Sequence, residues 1–157
     1  MLISKVSRER ITTVNVAEVN IASGYNGEYC YHSKIVQSFN VKFASALPTN
    51  SRYYAGRDES SGGTYIKNPL RQDDVVRAAL REALTLHPEG VMVRYAAYPH
   101  TMVAVAFEGD IILFNDPAAP GGSYSEVGNY HAVPFYKTCV GARGFTLSDI
   151  TFIQALD

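Results

Sequence analysis

Apolar residues recur along this chain in two different rhythms. Between Asp73 and Leu86 they return at helical spacing, with Val76, Leu80, Ala83 and Leu84 on one stripe and Asp73 four positions ahead of Arg77. Asp73 or Asp74 could cap the start, and His87-Pro88-Glu89-Gly90 ends the pattern, so the segment predicts a helix. Three short apolar runs follow, Val91 to Ala97, Thr101 to Phe107 and Ile111 to Phe114, each of strand length. The gap Glu108-Gly109-Asp110 between the last two is a hairpin turn, and Ile150 to Leu156 predicts a further strand.

The first half is less regular. In Thr13 to Ala22, Val14, Val16, Val19 and Ile21 partly alternate like a strand, whereas Thr13 could cap a short helix ending near Gly24; the helix is the preferred reading. Aromatic and β-branched residues dominate Tyr29 to Ser45, and Ile35, Val36, Phe39, Val41 and Phe43 predict at least one strand there. From Pro48 to Asn68 the chain turns polar and glycine-containing, with Tyr53, Tyr54 and Tyr65 set within it. This predicts a long connection able to act as a lid or binding loop. Pro117 to Tyr130 reads as a second loop and Pro134 to Cys139 as one helical turn. With no internal repeat and 157 residues, the pattern predicts one α+β domain, helix-rich first and an antiparallel sheet afterwards.

Composition narrows the functions on offer. Residues of the hydrophobic class make up 46%, enough to build a core without metal or disulfide staples. Fourteen Lys and Arg face fifteen Asp and Glu, a net charge of −1, so no long-range field gathers nucleic acid or an anionic membrane, and neither is an expected partner. No run approaches the roughly 18 apolar residues of a membrane span, and Met1 to Arg10 lacks the apolar region of a secretory signal. Cys30 and Cys139 allow at most one disulfide, and without Cys-x-x-Cys spacing they make no zinc site by themselves. His32, His87 and His131 show no metal-ligand spacing, and Gly121 to Ser125 is neither a phosphate loop nor a nucleophile elbow, so no metal or cofactor is expected. His87, before Pro88, reads as a helix-ending residue. Tyr53, Tyr54, Tyr65, Tyr95 and Tyr98 could line a groove for peptide or sugar, or could simply pack.

The chemistry concentrates around His100. It opens an apolar strand, and Asp116 follows 16 positions later, just past the next strand. Counted from Gly109, His100 lies nine residues before the turn and Asp116 seven after, which brings both to one end of the hairpin. An Asp that accepts from one ring nitrogen fixes the tautomer and leaves the other to act as base toward a thiol or hydroxyl. The plainer alternative is a strand-edge His beside an Asp-Pro turn.

Three stretches together carry a resemblance: His87-Pro88-Glu89-Gly90-Val91, Pro99 to Val105, and Phe114-Asn115-Asp116-Pro117-Ala118. From about Gln72 to Asp157 the chain resembles the C-terminal half of the papain-like C39-type cysteine peptidases and their bacterial surface relatives. That resemblance implies a papain-like fold, His100 as the catalytic base, Asp116 as the residue that orients it, and a peptide or protein substrate. It also implies an extracellular or cell-surface setting. The family's nucleophilic Cys sits at the start of a long helix after a Gln-type oxyanion donor; Met1-Leu-Ile-Ser-Lys looks like the tail of that helix, which would place the nucleophile upstream of Met1. The domain would then be incomplete at its N-terminus, with exposed sheet surface open to self-association. Within these residues the family's nucleophile-before-His order favours Cys30 over Cys139. Glu28 beside Cys30 would raise its thiol pKa, and a strand rather than a helix start is expected around it. Two functions follow: a thiol hydrolase of peptide or isopeptide bonds, or a non-catalytic peptide- or protein-binding module that keeps the fold and lacks the nucleophile.

Overall fold

Among the described residues, seven strands, every neighbouring pair antiparallel, form one sheet in the order β1-β2-β7-β3-β4-β5-β6. The computed structural model describes residues 2–25, 32–44, 52–58, 63–95, 101–115, 132–134 and 147–157. In chain order the elements are α1 (Leu2–Ser7), α2 (Thr13–Ala22), α3 (His32–Ser38), β1 (Tyr54–Asp58), β2 (Gly63–Ile66), α4 (Asp73–Leu86), β3 (Val91–Tyr95), β4 (Thr101–Glu108), β5 (Ile111–Asn115), β6 (Ala132–Pro134), a 3-10 turn (Leu147–Asp149) and β7 (Ile150–Gln154). The protein is therefore α+β, with helices against an antiparallel sheet.

Helix α4 forms where its apolar stripe predicts, and Val76, Ala79, Leu80 and Ala83 are fully shielded from solvent. Its start differs from expectation in one respect. The N-cap is Gln72, which makes no side-chain capping bond, and Asp73 instead accepts from the backbone N–H of Ser148 at 2.9 Å. The carboxylate thus docks the 3-10 turn onto the start of α4, and Arg71 pairs with Asp149 of the same turn. Both contacts aim β7 into the middle of the sheet, between β2 and β3. In that central place β7 is buried at Ile150, Phe152, Ile153 and Gln154, with Thr151 half-buried.

Strands alternate their side chains between faces. On one face Val91, Val93, Met102, Ala104, Ile112 and Phe114 meet α4 in the main core. Met92 and Val103, of opposite parity, pack against a second cluster of Leu2, Val36, Val41 and Leu156, so α1 and α3 cover part of the other face. The β4–β5 hairpin turns tightly between Glu108 and Ile111, and Gly109 sits at φ +61°, a left-handed conformation that glycine adopts without a steric penalty. Arg77 and Arg81 of α4 donate to the carbonyls of Asp110 and Gly109, and the Arg81 guanidinium lies 4.0 Å from the Phe107 ring centroid, so the helix grips the turn.

Three sequence expectations are corrected. The strand expected within Tyr29 to Ser45 is helix over α3, because Ile35 and Val36 are buried at adjacent helical positions while Lys34 and Gln37 face water. After it, Phe43 contributes only a single bridge to Leu156. The connection expected from Pro48 to Asn68 contains the β1–β2 hairpin, which extends the sheet from the first half of the chain. For α2 the cap is Thr12 rather than Thr13: its hydroxyl accepts from the Asn15 N–H at 3.2 Å, and the Asn15 side chain accepts from the Thr12 N–H at 3.0 Å. Pro134 belongs to β6, and the rest of the helical turn expected over Pro134 to Cys139 lies outside the described residues, as does the loop from Pro117 to Tyr130.

Candidate functional site

The catalytic candidates His100, Asp116 and Cys30, together with Cys139, lie outside the described residues. The frame around them is described. Thr101, next after His100, opens β4; Asn115, next before Asp116, closes β5. Val103 pairs with Asn115 and Ala104 with Phe114, so both strand ends fall at the open end of the hairpin, away from Gly109. A bulge between Ala104 and Ala106 takes up one of the residues by which the first arm is the longer. Cys30 stands two positions ahead of α3, where a strand had been expected.

One histidine has a described side chain, and it is buried. His87 follows α4 directly; its backbone N–H donates to Ala83 at 2.9 Å, the helix-ending role expected of it. Its Nδ1 lies 3.7 Å from the Asp157 carboxylate, an imidazole–carboxylate pairing that sequence spacing gives no hint of. A cleft of about 360 Å³ beside it is lined by Lys5, Arg8, Glu89 and Asp157 among others. The imidazole Nε2 is buried and has no hydrogen-bond partner among the described residues, so it is not presented to a substrate in the cleft. Among the described residues no group of three His, Cys, Asp or Glu side chains is placed to hold a metal ion, and no helix is long and apolar enough to cross a membrane.

The tyrosines expected to line a groove divide. Tyr54 is buried in the main core, its hydroxyl donating to the Ala79 carbonyl at 2.9 Å, and Tyr53 packs half-buried against the same core. Burial, followed by the nearby Glu82 carboxylate, holds the Tyr54 phenol well above its ordinary pKa. Tyr65 does face outward, 47% exposed, and meets the Phe152 ring edge-on with centroids 5.0 Å apart. On the far side of Phe152, in register, stands the exposed Arg94, its guanidinium 5.5 Å from the ring centroid. The side chain of Tyr95 and all of Tyr98 lie outside what is described.

Comparison of the chain with protein-family models, with curated proteins and with solved structures gives no match.

Proposed function

We propose that this chain is a cysteine peptidase-like domain of papain-like fold, hydrolysing peptide or isopeptide bonds through a Cys–His–Asp relay. Asp116 accepts from one nitrogen of His100, and the other nitrogen takes the thiol proton of Cys30. The thiolate attacks the substrate carbonyl, backbone N–H groups hold the oxyanion, and the C–N bond breaks as imidazolium returns its proton to the leaving amine. Water, deprotonated by His100, then releases the acid and restores the thiol.

What supports this reading is a single arrangement: the strand that His100 precedes and the strand that Asp116 follows are hydrogen-bonded neighbours whose outer ends lie at the same end of the hairpin, β4 starting two residues beyond the Val103–Asn115 pair, on a helix-backed antiparallel sheet. The second reading, a binding module of the same fold without the nucleophile, draws on the outward-facing Tyr65 and Arg94. An irreversible peptidyl electrophile, such as a blocked dipeptidyl vinyl sulfone, separates the two. The relay predicts one adduct, located by mass spectrometry on Cys30, abolished by Cys30→Ser and slowed on the order of 10² to 10⁴-fold by His100→Ala. Absence of a Cys30 adduct, or one formed equally fast in His100→Ala, overturns the relay in favour of the binding module.

A further inference from the structure

Four neighbouring strands carry one transverse row of positions. Register places Tyr65 of β2 opposite Phe152 of β7, Phe152 opposite Arg94 of β3, and Arg94 opposite Thr101 of β4. Phe152 is the anchor of the row. Its ring lies where a side chain on Gly63 would have to go, and only 5% of the residue is exposed. Tyr65 closes one side edge-on at an interplanar angle of 63°, and Arg94 lies over the other.

Tyr65 and Arg94, on either side of Phe152, are both exposed. Arg71, Arg77 and Arg81 each donate to a carboxylate or carbonyl within the fold. Arg94 is exposed, and among the described residues its guanidinium contacts the Phe152 ring. A guanidinium positioned over a buried ring loses less freedom on binding than a free one, and its planar fork matches a carboxylate bidentately. A single cation in this row matches a singly charged group rather than a dianion. Arg94 pairs with Thr101, the residue that follows His100 in the sequence.

We propose that Tyr65, Phe152 and Arg94 form a subsite for an acidic residue of an extended peptide, the Arg94 guanidinium pairing with the Asp or Glu side-chain carboxylate while the Tyr65 ring packs against the preceding apolar side chain. A chain running along this row toward Thr101 continues past Arg94, so the carboxylate belongs to an internal residue rather than to a terminus. The peptide as substrate rests on the peptidase reading; the binding itself needs no nucleophile.

The test is calorimetric titration of the whole chain at low salt with three probes: acetyl-Phe-Asp-amide, acetyl-Phe-Asn-amide and acetyl-Phe-Ala with a free carboxyl terminus. The Asp peptide is expected to bind roughly tenfold more tightly than the other two, the gap closing in Arg94→Gln, shrinking in Arg94→Lys, and persisting in His100→Ala. Equal binding of the three, tighter binding of the free-terminus peptide, absence of binding, or an advantage undiminished in Arg94→Gln overturns the subsite. Because His100→Ala removes the proposed catalysis and leaves Arg94 intact, loss of the peptidase reading and loss of the subsite are separate results.

Discussion

Gly63 is the position where packing permits the smallest of changes to be read most clearly. Its backbone is not in the left-handed region, so Ala is conformationally allowed, and shortening the unfolded chain's freedom would by itself add about 0.4–1 kcal/mol of stability. Against this, a Cβ at Gly63 lands on Cζ, Cε1 and Cε2 of Phe152, a ring already hemmed by Tyr65 and Arg94. Forcing such a ring aside costs about 1–3 kcal/mol. The net expectation for Gly63→Ala is a loss of about 1–2 kcal/mol, a sizeable share of the 5–15 kcal/mol typical of a domain. Leu at position 152 retains apolar bulk and ends before the colliding atoms, so in Phe152→Leu the Gly63→Ala change should become neutral or stabilising. Urea unfolding followed by circular dichroism gives both values, with an unchanged slope confirming that native stability is what moved. A Gly63→Ala variant as stable as the parent, or one equally destabilised in both backgrounds, refutes the packing.

Other changes probe separate parts of the fold. Leu80→Ala removes a fully shielded α4 side chain from the main core and should cost about 2–5 kcal/mol by the same unfolding assay; a loss under 1 kcal/mol would mean α4 does not pack as described. Gly109→Ala puts a Cβ at φ +61° with open space around it, so only backbone strain of about 1–2 kcal/mol is expected, and Gly109→Asn should recover part of it. Tyr54→Phe deletes the bond to Ala79 for about 0.5–1.5 kcal/mol. Burial first and Glu82 second keep the native Tyr54 phenol protonated above its ordinary value of 10.0, so above pH 10 the unfolded chain sheds a proton that the native state retains. Its contribution is then constant below pH 10 and stability falls as pH rises beyond it; that decline should be shallower in Tyr54→Phe, and identical slopes in the two proteins would contradict the burial.

Helix α4 and the β3–β4–β5 meander are legible because each is written locally: one stripe at helical spacing, then apolar runs punctuated at Pro88 and Gly109. Segment 32–38 misleads because Ile35 and Val36 favour strands intrinsically, and only tertiary contact, Val36 against Leu2, Val41 and Leu156, selects the helix. The β1–β2 hairpin is hidden by its brevity and polarity, since few side chains beyond Tyr54, Thr64 and Ile66 turn inward. At the candidate site, His100 and Asp116 are readable as residue types at the ends of runs. The row of Tyr65, Phe152 and Arg94 is not, because positions 65, 94 and 152 meet only through strand order, with β7 returning between β2 and β3.

The relay requires a thiol made reactive by His100, and the rate of iodoacetamide alkylation at Cys30 and Cys139 against pH, in the intact chain and in His100→Ala, measures that reactivity. The relay predicts rapid labelling of Cys30 below pH 7 that disappears with His100, while Cys139 follows the behaviour of an ordinary thiol. Slow labelling of Cys30 with a midpoint near the free-thiol value of about 8.5, unchanged by His100→Ala, contradicts it.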